Sequence, residues 1–421
     1  MALTLRLHRV DALRLGAATG YDGRALTVSA AEAAAVMADP ALAEVRVSVT
    51  SPGDPVRLVK VLDAVEPRTK GPGGGGIFPG FLGPARPQGT GTTDVLAGAA
   101  VVAAGFLPRA QEAVVDMSGP VADLSPLAAT HNVVLEFTPA GGAAWEDVDA
   151  ALRRGTLALA ALLAEAALGA GPEAVVELPG PADAAVAGAG LPRIGAVTNL
   201  QTQGAFKDTY VYGRSFAGSF PLLLDANELD DGAVVSGQFG HPSLKNPTWA
   251  HQNHPVVAAL RSRHGRDLDF AGVILCPEPV DQAGKGLISA AAARVAAAAG
   301  WHGAVVTKEG GGNADADMSL KMDELEALGI SAVGLFAEMA GADGTGPSVV
   351  VPPERATAMV STGNYDHRLR LPAVERALGG QTIALLGCPA TEEVELPAAV
   401  VYGSLSPLGW GRLTCGEDVP V

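Results

Sequence analysis

The chain has 421 residues, 48% of them hydrophobic, which allows a sizeable core and two or three domains. Its net charge of −16, from 29 basic and 45 acidic side chains with no basic cluster, argues against nucleic acid as a partner. Cys276, Cys388 and Cys415 are far apart and form no CxxC, which argues against a disulfide framework and a structural zinc site.

In chain order, residues 1–140 read as a β-rich N-terminal domain. "LTLRLHRV" and "EVRVSVTSPG" alternate apolar and polar side chains, as half-buried strands do. "SAAEAAAVMAD" predicts a helix with Ser29 as N-cap. "KGPGGGGIFPG" predicts a loop in which backbone approaches backbone or a ligand closely. "VVLEFTPA" predicts a further strand, and Asp147–Leu168 the longest helix. Glu66, Arg68 and Asp116 are expected in buried ion pairs that knit this part together.

Residues 141–192 hold that helix and a linker, and 193–421 an α/β domain with a parallel sheet. Its pattern starts with the buried strand of "RIGAVTNLQTQG". From about 269 it becomes regular: "FAGVILCPE", "ISAAAARVAAAAG", "GAVVTKE", "DMSLKMDELEALG" and "ISAVGLFAE" alternate strand and helix, as βαβ units do. The fold class is therefore α/β. The most apolar run, Leu157–Leu168, carries Glu165 and is too short to span a bilayer, and the N-terminus lacks a signal-peptide core. A cytoplasmic protein without membrane attachment is expected.

Three strands end in glutamate: Glu278, Glu309 and Glu338, at intervals of 31 (309 − 278) and 29 (338 − 309). Carboxylates at the carboxyl edge of neighbouring parallel strands converge on one crevice, where they could hold a cation, bind an amine or carry out acid–base work. The alternative is that they merely terminate strands in solvent. Asn313, Asp315 and Asp317 have a cation-loop rhythm without its closing glutamate, so Asp315 or Asp317 is read as a helix cap.

Several segments occur together in one order: "SPGDPVRLVKVLDAVEPR", "GGGGIFPG", "AVVDMSGP", "LQTQGAFKDTYVYG", "DGAVVSG", "AHQNHPVV" and "KEGGGNADAD". The chain thereby resembles the precursor of the α and β subunits of component B in glycine, sarcosine and betaine reductase, with a related subunit in D-proline reductase. The resemblance implies a precursor that cuts itself at an internal cysteine to make a pyruvoyl group. It also implies a partner whose selenocysteine cleaves a C–N bond reductively. The cysteine window of that family resembles "SGNCVSACDKN"; here it is "SGQFGHPSLKN", with Phe239 and Ser243 at the two cysteine positions. Phenylalanine can neither attack the preceding carbonyl nor leave by β-elimination, so a pyruvoyl group is expected to be absent. Ser243, acting on the Pro242 carbonyl, remains as a formal route.

Candidate catalytic residues are then His241, His251, Glu278, Glu309, Glu338 and Cys276. An imidazole serves as acid, base or ligand near neutrality, and a strand-end thiol as a nucleophile; Cys276 also reads as a buried, inert cysteine. Candidate substrate-binding residues are Gln201, Gln203, Asp208, Tyr210, Tyr212, Gln252, Asn253 and Asn313. Asp208, Tyr210 and Tyr212 alternate and so share one face of an extended segment. Asn253 is the expected cap of a helix beginning at Pro255.

The expected function is a substrate-binding or catalytic subunit for a small amine- or amide-bearing acid. It would work in a heteromer with a selenoprotein-B-like reductase subunit, and the alanine- and valine-rich composition fits secondary metabolism. Cofactor and metal content are unknown at this stage. A non-catalytic assembly subunit, and a stand-alone His/Glu lyase or hydrolase with or without a metal, stay open.

Overall fold

A computed structural model describes all residues except 1, 74, 109, 181–189, 203–208, 238–241, 407 and 409–421. Gln203, Asp208, Phe239, His241 and Cys415 therefore lie outside the described residues.

The N-terminal half is strand-rich. Strand β1 (Leu3–Arg9) lies between β6 (Gly91–Ala97) and β9 (Ala174–Leu178), and β5 (Arg68–Lys70) extends the sheet beyond β6. A second sheet has the order β2 (Leu42–Thr50), β8 (His131–Pro139), β7 (Ala99–Ala104), β4 (Val61–Val65). Helix α1 (Ala30–Val36) starts where Ser29 accepts a bond from the Glu32 N–H, as its sequence predicts. Helix α2 (Trp145–Glu165) is the longest and buries Val148, Leu152, Leu159 and Leu163. Strands β6 and β7 carry no alternating signal, because β7 is buried at all six positions.

The glycine-rich loop ends in a close approach of backbones. A Cβ on Gly80 would stand 2.0 Å from the Tyr212 carbonyl oxygen. The expected ion pairs form, with different partners. Arg68 Nη2 bonds Glu66 Oε2 at 2.6 Å, whereas Asp116 pairs with Arg57, whose Nε is 2.6 Å from Oδ1. Arg57 also donates to the carbonyls of Pro372, Ala390 and Glu392, tying the C-terminal segment to the N-terminal half.

The C-terminal half holds a six-stranded sheet ordered β11 (Leu222–Leu224), β12 (Asp269–Pro277), β10 (Arg193–Leu200), β13 (Gly303–Thr307), β14 (Ser331–Glu338), β15 (Ala358–Asn364). All neighbours run parallel except β11, which is antiparallel to β12. Helix α4 (Pro255–Arg263) covers one face; α5 (Gln282–Ala298) and α6 (Asn313–Ala327) cover the other, and the strand side chains alternate between the two cores. The strand pairing does not follow the expected limit of 193–421. Strand β16 (Arg376–Leu378) returns to pair with β3 (Val56–Leu58) in the N-terminal half. No described helix is long and apolar enough to cross a membrane.

Gly195 in β10 lies under the Trp301 ring; a Cβ there would stand 2.2 Å from a ring carbon. Gly195→Ala should therefore destabilise the chain by about 1–3 kcal/mol through overpacking. Urea denaturation measures this, and a loss below about 0.5 kcal/mol would contradict the packing argument.

Candidate functional site

Strand β10 enters the sheet first; the chain then goes to β12 on one side and crosses to β13 on the other. Strand order thus reverses between β10 and β13, and the carboxyl ends of two such strands leave a crevice. Gln201 follows β10, and Lys308 and Glu309 follow β13.

Glu309 is the hub of this edge and is wholly buried. Its Oε2 accepts from Lys245 Nζ at 2.7 Å and from the Gln201 N–H at 2.8 Å. Its Oε1 accepts from the Asn246 N–H at 3.1 Å, and His251 Nε2 stands 3.4 Å from it. Lys245 Nζ also donates to Thr209 Oγ1 at 2.7 Å, and that hydroxyl donates to the Gln201 carbonyl at 3.0 Å. Burial alone would push the Glu309 carboxyl up. The Lys245 ammonium and the His251 imidazole outweigh it and hold the group at about 2. Glu309 is therefore a fixed anion at neutral pH. It anchors residues 245–246 to the sheet edge by accepting from the Lys245 ammonium and the Asn246 N–H.

Glu278, at the end of β12, behaves oppositely. Burial first, then repulsion by Asp317 and Glu309, pushes its carboxyl up to about 8, against the pull of Lys321 and Lys308. A carboxyl that keeps its proton at neutral pH can donate it to a leaving group. Glu338, half-buried at the end of β14, is paired in register with Asn364 and shares no hydrogen bond with the other two glutamates among the described residues. The crevice thus joins two of the three expected strand-end carboxylates.

Asp315 and Asp317 do not cap α6. The cap position is Gly312, in the left-handed region at φ 68° with no side-chain bond, because both aspartates are drawn to buried lysines. Asp315 pairs with Lys308; Asp317 pairs with Lys285 and lies 3.6 Å from Lys321. Asn313 is the exposed first residue of α6. Cys276 packs in the core under α5 and α6, and burial pushes its thiol up to about 12, so it stays protonated.

Tyr210 and Tyr212 do not share one face. Tyr212 sits at φ 53°, so the extended segment ends at Val211, and the two rings join different clusters. The Tyr210 ring lies under Arg153, 4.2 Å from the guanidinium carbon, and the Tyr212 hydroxyl donates to Glu228. Gln252 and Asn253 brace the Glu66–Arg68 pair: Gln252 Oε1 accepts from the Glu66 N–H, and Asn253 Oδ1 from Arg68. The helix cap is His254, not Asn253. Its Nδ1 accepts from the Val257 N–H, Pro255 occupies the first turn, and burial holds its imidazole down at about 3. His251, in the short helix α3 (Thr248–Gln252), is buried against Glu309.

Residue-type reasoning overlooked Lys245, Asn246, Thr209 and Lys308. The signal was "SLKN": a lysine inside a stretch of amides and apolar residues needs a buried counter-ion. Several polar atoms around this edge are buried without a partner among the described residues: Gln201 Oε1, Asn199 Oδ1, Asn246 Nδ2 and Ser243 Oγ. Gln201 and Asn246 carry theirs beside the carboxylate that their backbones bind. Such atoms are costly unless a ligand or water completes them. No group of three His, Cys, Asp or Glu side chains suited to a metal ion occurs among the described residues.

A family model for glycine/sarcosine/betaine reductase component B subunits matches residues 1–399. The chain is 35% identical over 399 residues to the glycine reductase complex component B subunits alpha and beta of Acetoanaerobium sticklandii, covering 89% of this chain and 90% of the relative. It is 34% identical over 345 residues to the sarcosine reductase complex component B subunit alpha of Peptoclostridium acidaminophilum, covering 82% and 81%. It is 32% identical over 396 residues to the betaine reductase complex component B subunit alpha of the same organism, covering 90% and 88%. No solved structure matches the chain. The sheet-edge residues thus stand in a sequence that matches reductase subunits over nearly its whole length, and the chain belongs to the family of glycine, sarcosine and betaine reductase component B subunits.

Proposed function

We propose that this chain is an uncut, pyruvoyl-free component B subunit of the cytoplasm, which binds a small amine- or amide-bearing acid at the Glu309 edge. It works with a selenoprotein-B-like partner that brings the electrons for C–N cleavage. The observation that carries this reading is the segment before Glu309's ligands. Lys245 and Asn246 keep it clamped to the sheet edge, while Phe239 and Ser243 stand where the family window has cysteines.

The residues present do not fit a cysteine-derived pyruvoyl group. Phe239 has no heteroatom to attack or depart. Substrate is therefore held by hydrogen bonds: Gln201 Oε1 accepts from an amine or amide N–H, and Asn246 Nδ2 donates to an oxygen. Glu278 holds the proton for the departing nitrogen. His251, backed by Glu309, positions the segment. These assignments leave Glu338, Cys276 and Asn313 without a role.

A second reading has one observation in its favour. Ser243 Oγ has no partner among the described residues, and the Pro242 carbonyl accepts the Gly403 N–H at 3.0 Å, which would polarise it for attack. The Ser243 N–H, however, donates to the Ala399 carbonyl at 3.3 Å, and no base is bonded to the hydroxyl. Intact mass decides: one species near 42.4 kDa is expected. Two fragments parting before Ser243, the later one with a ketoacyl terminus, would overturn the uncut reading.

A further inference from the structure

We infer that the cavity beside Pro242 is a carboxylate-recognition site for a small acid with an apolar body, anchored on Lys60. This deepens the proposed function and rests on it in one respect: Pro242 belongs to the segment that Lys245 and Asn246 clamp to the substrate edge proposed there. The cavity holds about 480 Å³ and is lined by Lys60, Phe106, Leu107, Leu385 and Val400, with Pro242 as the wall toward the sheet edge.

Lys60 is unusual in two ways. It is a non-glycine residue in the left-handed region, at φ 52°. Its surroundings hold it there: its N–H donates to Glu112 Oε1 at 3.2 Å, and its carbonyl accepts the Gly105 N–H at 3.0 Å. Such backbone persists where neighbours over-determine it, and it gathers at ligand sites. Second, its ammonium lines the cavity with no carboxylate within ion-pair distance among the described residues. Its acceptor is the Thr382 carbonyl, at 3.3 Å. Gly380 leaves room for the ammonium; a Cβ there would stand 2.5 Å from Nζ. Glu112 lines the same cavity; burial raises its carboxyl, against the pull of the Ala384 N–H, the Lys60 ammonium and the Lys60 N–H, and it does not come within ion-pair distance of the Lys60 ammonium.

An ammonium that lines a cavity and bonds only a backbone carbonyl, with no carboxylate in ion-pair distance among the described residues, can take up an anion there. One ammonium suits a monocarboxylate, whereas a phosphate calls for several converging donors. The rest of the ligand meets Phe106, 62% exposed, and Leu385, 58% exposed. These rings and branches gain by covering an apolar chain. The site thus selects acids longer and more apolar than glycine.

The test is calorimetric titration of the full-length chain with hexanoate, hexanamide and glycine. Hexanoate should bind about tenfold or more tightly than hexanamide or glycine. Lys60→Gln should remove that advantage, Lys60→Arg should keep it, and Leu385→Asp on the exposed rim should weaken hexanoate with no loss of thermal stability. Equal binding of hexanoate and hexanamide, or unchanged hexanoate binding by a folded Lys60→Gln chain, would overturn the site. Absence of hexanoate binding to the unaltered chain would do the same. Intact mass on the same sample keeps the two proposals apart. A cut chain with Lys60-dependent binding sinks only the uncut reading, and an uncut chain without it sinks only this one.

Discussion

Glu309→Gln should lower the unfolding free energy at pH 7 by about 3–5 kcal/mol, the range for breaking a buried ion pair by removing one partner. Gln keeps the shape and one acceptor oxygen, so cavity effects are small. What is lost is the counter-ion of Lys245, which lies buried 2.7 Å away, and the acceptor shared by the Gln201 and Asn246 N–H groups. The sign with pH follows from the direction of the shift. The folded carboxyl is held at about 2, below its unfolded value, so its contribution is complete above roughly pH 4.5 and is lost as pH falls toward 2. The gap between the variant and the unaltered chain should therefore be widest at neutral pH and narrow on acidification. A second variant, Glu309→Gln with Lys245→Met, should recover part of the loss, because it removes the stranded ammonium as well. Denaturant titrations at several pH values measure all of this. A Glu309→Gln chain as stable as its parent at pH 7 would show that the carboxylate does not anchor the segment.

Glu278→Gln should do the reverse on the alkaline side. The Glu278 carboxyl is raised to about 8, so the folded chain keeps a proton that the unfolded chain releases above its ordinary value. Stability therefore falls as pH rises from roughly 4.5 to 8, with a penalty on the order of 5 kcal/mol once the buried group ionises beside Asp317 and Glu309. The amide cannot ionise, and that part of the slope should vanish, leaving the variant at least as stable as its parent at pH 8.5. In turnover with the partner, the same variant should lose about 100-fold or more in kcat, the usual worth of a general acid, with a much smaller change in KM. A variant that keeps the parent's stability slope and its kcat would remove Glu278 from the chemistry.

The strands and helices that carry a strong period were legible without coordinates. Alternation marked β1 and β2; capping residues and Gly300 bounded α1 and α5; strand–helix pitch announced the parallel sheet. The misses share a cause. β7 is buried on both faces, so its alanines and valines carry no alternation. Tyr212 turns left-handed where alternation assumed extended backbone. Asp315 and Asp317 read as caps, but they lie inside α6, buried against Lys308, Lys285 and Lys321, and a charge in a buried site goes to its counter-ion first.

The residue order alone determined the α/β class, the family resemblance and the absence of cysteine from Gly237 to Lys245, since each depends on local period or on side-chain identity. Only the tertiary structure decided which carboxylate does what. Glu278 and Glu309 end similar strands and look alike in sequence. One is buried beside Asp317 and Glu309, against a weaker pull from Lys321 and Lys308, and keeps its proton; the other meets Lys245, brought from 64 residues away, and becomes a fixed anion. Neighbours distant in the chain set the local field, and that field sets the protonation state.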